Sequence, residues 1–138
     1  MAKTMSSGGS KDSTKPLVLV VDDHASQRRL FQILADRLKI TAHVVESGEE
    51  ALEAVESYQF DAILMDVVMP QMNGFECTKK IREMEQITDR HIPIIAVTAC
   101  VMKGDREKCL DAGMDDYLPK PFTLKQFGEK LNQWLSRD

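Results

Sequence analysis

Short runs of uninterrupted apolar residues recur along this chain, each followed by a segment with helical spacing. Leu17-Val18-Leu19-Val20-Val21 is the clearest of them. A strand with one face in water alternates apolar and polar side chains, so a run with no polar member needs cover on both faces. Ala62-Ile63-Leu64-Met65 and Pro93 to Val97 have the same character, and Ala42 to Val45 and Tyr117-Leu118 are shorter versions. Between them, apolar residues return every third or fourth position, as on the inner face of a helix. Leu30, Phe31, Leu34 and Leu38 form one such face, Ala51, Ala54, Val55 and Tyr58 a second, and Cys77, Ile81 and Met84 a third. A weaker fourth helix is expected from about Met102 to Ala112, with Gly113 as its stop. A last helix would bury Leu124, Phe127, Leu131, Trp134 and Leu135. Strand–helix alternation with short connections implies an α/β fold, a parallel sheet with helices on both faces.

Punctuation agrees with this division. Ser47 and Glu50 have the spacing of a capping box, as do Thr123 and Gln126, and Asn73 is expected to cap the third helix. Met69-Pro70-Gln71-Met72-Asn73-Gly74 is rich in helix breakers and reads as a loop. The 138 residues suffice for one domain, placed at 16–138. Residues 1–15 are Ser/Gly/Lys-rich, offer almost nothing to bury, and read as a disordered leader. Lys plus Arg number 18 against 22 Asp plus Glu, a net charge of −4 that argues against direct nucleic-acid binding. No apolar run approaches a membrane span, and the N-terminus lacks a secretory core. Cys77, Cys100 and Cys109 have no metal-ligand spacing and read as reduced thiols of a cytoplasmic protein.

The residues that follow the expected strands carry the chemistry. Asp22 and Asp23 follow the first strand and Asp66 the third, Thr98 ends the fourth, and Lys120 follows the fifth. In a flavodoxin-like sheet of order 2-1-3-4-5, these positions share the carboxyl edge, where open α/β sheets bind ligands. Each residue alone has an ordinary explanation: a helix cap, a surface lysine, a β-branched strand residue. Jointly they make an acidic cluster flanked by one ammonium and one hydroxyl. Grouped carboxylates raise one another's pKa values unless a cation joins them. Mg²⁺, which is hard, octahedral and content with few carboxylates, is the expected occupant. Such a site suits stabilisation of a phosphoryl group in transfer.

At these residues the sequence resembles the receiver (response-regulator) domains of two-component signalling, over nearly all of 16–136. The matching segments are Val20-Val21-Asp22-Asp23, Leu64-Met65-Asp66-Val67-Val68-Met69-Pro70 through Gly74, Val97-Thr98-Ala99, and Tyr117-Leu118-Pro119-Lys120-Pro121-Phe122. The stretches Met102 to Cys109 and Ala112 to Tyr117 look most like receivers of hybrid sensor histidine kinases. The resemblance implies that Asp66 accepts a phosphoryl group from a phosphohistidine. It implies Mg²⁺ held by Asp23, Asp66 and the Val68 carbonyl, with Asp22 acting through water. Lys120 and Thr98 would bind phosphoryl oxygens, and small Ala99 would leave room for them. Tyr117 takes the place of the family's switch aromatic, moving with Thr98, and Lys120-Pro121 matches a cis peptide. Gly104, read as lying inside the fourth helix, would loosen it.

The implied partners are a sensor histidine kinase, a histidine phosphotransfer domain, or both. The implied chain is a signalling phosphoprotein that catalyses only its own Mg²⁺-dependent phosphorylation and dephosphorylation. Val68 and Cys100, two positions beyond Asp66 and Thr98, cannot orient an attacking water, so a long-lived aspartyl phosphate is expected. His24 and His91 read as surface residues without a metal-binding setting, Arg28 and Arg29 as a solvated helix face, and Trp134 as an anchor. Three rivals remain. A haloacid-dehalogenase-type phosphatase wants a second Asp where Val68 stands, and a flavodoxin-type carrier wants a phosphate loop where Asp22-Asp23-His24 stands. A pseudo-receiver would lack some of the five polar residues present here.

Overall fold

The computed structural model describes residues 15–88, 90–99 and 104–135. Nearly all of the expected leader, Cys100 and the expected start of the fourth helix lie outside those residues. Strands and helices alternate: β1 (Leu17–Val21), α1 (Ala25–Arg37), β2 (Thr41–Val45), α2 (Gly48–Ser57), β3 (Ala62–Asp66) and α3 (Gly74–Thr88). They continue with β4 (Ile94–Thr98), α4 (Asp105–Ala112), β5 (Asp116–Pro119) and α5 (Leu124–Leu135). All strand pairs are parallel, in the order β2-β1-β3-β4-β5. The sequence-based order is therefore borne out.

The apolar runs divide by parity, as the period of two along a strand requires. Leu17, Leu19, Val21, Ile63, Met65, Ile94 and Ala96 face one core layer, under α2, α3 and α4. Val18, Val20, Ala62, Leu64, Ile95 and Val97 face the other, under α1 and α5. In the second layer Phe31, Phe122 and Phe127 pack together with centroids 5.6–5.8 Å apart, Phe122 and Phe127 stacked and Phe31 tilted against both. Phe31 and Phe127 have almost no exposed surface, and truncating either to Ala costs about 3–5 kcal/mol. Among the described residues, no helix is long and apolar enough to cross a membrane. Cys77 and Cys109 are buried free thiols; burial pushes the Cys77 thiol up to about 12 and raises that of Cys109.

The expected caps form. Ser47 Oγ accepts from the Glu50 amide at 3.1 Å, while Glu50 accepts from the Glu46 amide. Asn73 and Glu76 cap reciprocally, as do Thr123 and Gln126. Gly74 is fixed by close approach rather than by its dihedrals: a Cβ there would collide with the Asp66 carbonyl and sit 2.9 Å from Val67 Cα.

Three local expectations fail. Tyr58 is not on the buried face of α2 but caps its end, half-exposed, and Phe60 fills the core instead. Leu30 turns partly to solvent, since Phe31 and Ala35 are the residues of α1 aimed inward. Gly104 is not inside the fourth helix. It is the N-cap of the shorter α4, with φ at +96°, a left-handed conformation that favours glycine. It marks where the helix starts.

Candidate functional site

Parallel pairing puts the carboxyl ends of β1, β3, β4 and β5 side by side. Asp66 is level with Val97, and Thr98 with Pro119. Asp22 prolongs β1, its amide donating to the Val45 carbonyl at 3.1 Å. The Lys120 amide donates to the Thr98 carbonyl at 2.8 Å, which holds the residue after β5 against the end of β4. The Lys120–Pro121 peptide is cis, as expected. The sheet thus gathers Asp22, Asp23, Asp66, Thr98 and Lys120 on one edge.

Asp22 and Asp66 are buried, as is Thr98; Asp23 is partly exposed. Asp22 Oδ1 accepts from the His24 amide at 2.9 Å, and its Oδ2 lies 3.4 Å from Lys120 Nζ. Asp66 is less well served. Its Oδ1 has the Val68 amide at 3.4 Å and Lys120 Nζ at 4.0 Å. Asp23 Oδ1 has no hydrogen-bond donor although solvent does not reach it. Burial pushes the Asp66 carboxyl up to about 6. Lys120 and the Val68 amide pull it down, and Asp22 and Asp23 push it further up. A carboxylate below neutrality in pKa remains mostly ionised at pH 7 and is available as a nucleophile.

Carboxylate oxygens of Asp22, Asp23 and Asp66 and one His24 ring nitrogen all lie within 4.8 Å of one another. Of the three acids only Asp22 and Asp66 reach the one ammonium, and a buried oxygen of Asp23 makes no hydrogen bond. Such a set fits a hard divalent cation, whose charge would supply what the chain does not.

The side chain of Val68 is exposed at the mouth of this cluster. Tyr117, half-buried in β5 level with Ala96, packs on the core layer beneath α4, with the Arg106 guanidinium 5.8 Å from its ring centre. Trp134 anchors α5 as expected, donating to Asp116 at 2.9 Å. His91 is exposed, its ring bonded to Asp115.

Two residues depart from the sequence-based reading. His24 does have a metal-binding setting, its Nδ1 standing 3.2 Å from Asp23 and 3.4 Å from Asp22. Arg28 is not on a solvated face: Nη1 donates to the Asp22 carbonyl at 2.9 Å and Nη2 lies 3.8 Å from Glu46. It buttresses the acidic turn. The available signal was proximity, since His24 and Arg28 follow Asp22-Asp23 at the N-cap and in the first turn of α1.

Comparison with known proteins agrees with this geometry. Residues 18–132 match the response regulator receiver domain family. The chain is 40% identical over 141 residues to hybrid signal transduction histidine kinase I of Dictyostelium discoideum, covering 96% of this chain and 8% of that protein. It is 36% identical over 118 residues to the polar-differentiation response regulator DivK of Brucella ovis, covering 86% of this chain and 94% of that one. The chain thus spans a small part of the hybrid kinase it matches and most of the length of DivK. Among solved structures it resembles the receiver domain of the sensor histidine kinase PA1611 of Pseudomonas aeruginosa, crystallised with magnesium in its active site cleft. That likeness has a TM-score of 0.81 and 36% identity, over 89% of this chain and 99% of the other. The receiver domain of Ssk1 of Saccharomyces cerevisiae, crystallised with the phosphotransfer protein Ypd1, matches with a TM-score of 0.81 and 28% identity, over 88% and 90%. By its sequence, its strand order and the residues on its carboxyl edge, this chain belongs to the response regulator receiver domains of two-component signalling.

Proposed function

We propose that Asp66 is the phosphoacceptor and that 16–138 is the receiver domain, preceded by a leader at 1–15. The observation that carries this reading is the convergence of Asp22, Asp23 and Asp66 at a single sheet edge, with Lys120 against Asp22 and Asp66. An Asp66 carboxylate oxygen attacks the phosphorus of a phosphohistidine; the P–N bond breaks and its electron pair leaves on the imidazole nitrogen. Lys120 binds a phosphoryl oxygen and offsets its charge, and Thr98 hydrogen-bonds another from the end of β4. Ala99 leaves the phosphoryl group room. Asp23, Asp66 and the Val68 carbonyl would hold Mg²⁺ directly, and Asp22 through water. When bound, Mg²⁺ neutralises the acidic cluster and the charge of the transferring group.

The chain on this reading is a cytoplasmic signalling phosphoprotein that catalyses its own phosphorylation and dephosphorylation. Its partners are a sensor histidine kinase, a histidine phosphotransfer domain, or both; the complex of the related Ssk1 receiver with Ypd1 supports the second. Tyr117 and Thr98 form the switch that reports phosphorylation to the α4–β5–α5 face. Incubation with acetyl phosphate and Mg²⁺ should add one phosphoryl group by intact mass, and Asp66→Asn should abolish it. Equal labelling of the variant would overturn the assignment. Mg²⁺ affinity by titration should fall further for Asp23→Ala than for Asp22→Ala; the reverse ranking would interchange their roles.

A further inference from the structure

Arg28 directs its guanidinium at a backbone carbonyl rather than at a carboxylate of the acidic cluster. The Asp22 carbonyl lies just past the last paired residue of β1, Val21, which stands level with Val45 and Met65. Arg28 Nη1 donates to it at 2.9 Å, and Nη2 lies 3.8 Å from Glu46. One residue further on, the His24 amide donates to Asp22 Oδ1 at 2.9 Å. Asp23 sits between these two bonds. The peptide before it is held through its carbonyl by Arg28, and the peptide after it through its amide by Asp22. Peptide units are planar, so holding both planes sets the φ and ψ of Asp23 and the direction in which its carboxylate leaves the chain. The guanidinium itself rises from an anchored turn, since the His24 carbonyl accepts from the Gln27 and Arg28 amides at 3.1 and 3.0 Å.

The choice of acceptor separates the two cations of this edge. Lys120 stands against carboxylate oxygens of Asp22 and Asp66, where it competes with any other cation. Arg28 holds the same turn and leaves the oxygens of the three acids free. Its contact with Glu46, a largely exposed side chain, contributes little energy, but a planar fork with an acceptor at each prong has one orientation. We propose that Arg28 is a positioning residue of the phosphoryl-transfer site, holding the Asp22–Asp23 peptide so that the Asp23 carboxylate is aimed at the ion while Arg28 touches neither ion nor phosphoryl group. The inference rests on the reading of Asp23 as a Mg²⁺ ligand given above and adds the group that aims it. Charge and geometry here predict opposite signs. As a bare cation Arg28 repels Mg²⁺, and its removal tightens binding. As a positioning group its removal weakens binding, as loss of a metal ligand's outer partner does.

Two variants test this. Arg28→Met keeps an apolar stem and removes the donors, and Arg28→Lys keeps the charge and one donor for the carbonyl. By calorimetric titration, Mg²⁺ affinity should fall about tenfold in Arg28→Met, with Arg28→Lys between it and the wild type. The Mg²⁺ concentration that half-saturates phosphorylation by acetyl phosphate should rise by the same factor, while the rate at saturating Mg²⁺ stays within roughly threefold of the wild type. A lower saturating rate with an unmoved half-saturation point would mark a mere loss of folded protein and overturn the proposal. In chelator, the His24 amide should exchange its hydrogen about tenfold faster in Arg28→Met, with the Ile94 amide at the far edge of the sheet unchanged. Equal or tighter Mg²⁺ binding by Arg28→Met would overturn the proposal, as would an unmoved His24 amide. A wild type that takes up neither Mg²⁺ nor a phosphoryl group would sink the phosphoacceptor reading and this inference with it, whereas normal uptake by both wild type and Arg28→Met would sink this inference alone.

Discussion

The molecule gathers acids at both ends of its sheet and treats them in opposite ways. At the amino-terminal edge, Arg82 donates to Glu85 at 2.7 Å, to Asp115 at 2.8 Å, and to the carbonyls of Gly113 and Ile92, both at 2.9 Å. The Ile92 amide serves the second Glu85 oxygen and the Ile94 amide shares Asp115 Oδ2. His91 Nε2 reaches Asp115 Oδ1 at 2.7 Å. Every carboxylate oxygen of that pair has a partner. At the carboxyl-terminal edge, Asp22 and Asp66 share Lys120 at 3.4 and 4.0 Å, and Asp23 Oδ1 is buried without a hydrogen bond. A satisfied buried network holds a fold together, and an unsatisfied one needs a reason outside the chain. The first fastens α3 to the starts of β4 and β5. The second is incomplete without a ligand.

Removing the shared cation at the satisfied end is the hardest test of that contrast. Arg82→Ala leaves Glu85 and Asp115 with little exposure and no guanidinium, and should cost about 3 kcal/mol in urea denaturation. A neutral result would mean that backbone amides alone suffice there, and the two ends would no longer differ in kind.

The ligand end should show its openness in kinetics. Val68 stands exposed beside the acidic cluster with nothing to orient a water. Losing ~2 kcal/mol of water positioning slows hydrolysis roughly thirtyfold. Phosphorylated wild type should therefore decay about thirtyfold more slowly than Val68→Asn, Cys100→Glu, measured by intact mass over time. Equal decay would show that these positions do not set the lifetime, and a relay role would lose that support. A gentler effect is expected at equilibrium. Asp66 is a carboxyl whose burial lifts it to about 6, so its charge at pH 7 opposes folding. Each tenfold gain in proton affinity on folding corresponds to about 1.4 kcal/mol, and an amide in its place keeps part of the burial cost. In chelator, Asp66→Asn should stabilise the fold by roughly 1–2 kcal/mol. A destabilised variant would mean that Asp66 is already compensated.

How much of this was legible follows from which contacts are local. The strands could be read because a run such as Ile63-Leu64-Met65 admits no exposed face, and it fills both core layers. Asp22, Asp23, Asp66, Thr98 and Lys120 could be read because each adjoins the end of such a run. The start of α4 could not: only Cys109 and Ala112 are buried in it, too few to set a helical phase. Tyr58 and Phe60 are both aromatic and two apart, so periodicity alone could not choose the core member. His24 and Arg28 act by folding back on their own turn, which spacing does not record. Arg82, Glu85 and Asp115 meet across 33 positions of chain, and charge alone does not reveal such a meeting.

Asp116 offers the finest discrimination, because it is an acid of the satisfied kind with a measurable pH signature. Its Oδ2 receives Trp134 Nε1 at 2.9 Å and Lys130 Nζ at 3.0 Å, and its Oδ1 the Tyr117 amide at 2.8 Å, tying α5 to β5. Burial alone would raise its pKa, but the hydrogen bonds from Trp134, Lys130 and Tyr117, with the Lys130 charge, outweigh that and hold it below the usual carboxylate value. A carboxyl depressed in the folded state binds its proton more readily when unfolded, so its stabilisation is complete above the unfolded pKa of about 4. It is lost as the pH falls through the lower folded value. Asp116→Asn keeps an acceptor and removes the charge, and should cost about 1 kcal/mol at neutral pH. The gap between variant and wild type, read from urea midpoints, should hold from about pH 7 to pH 5 and close below about pH 4. A gap that persists in acid would assign the effect to the geometry of the amide rather than to the charge. Asp116 would then no longer count as an ionic tie.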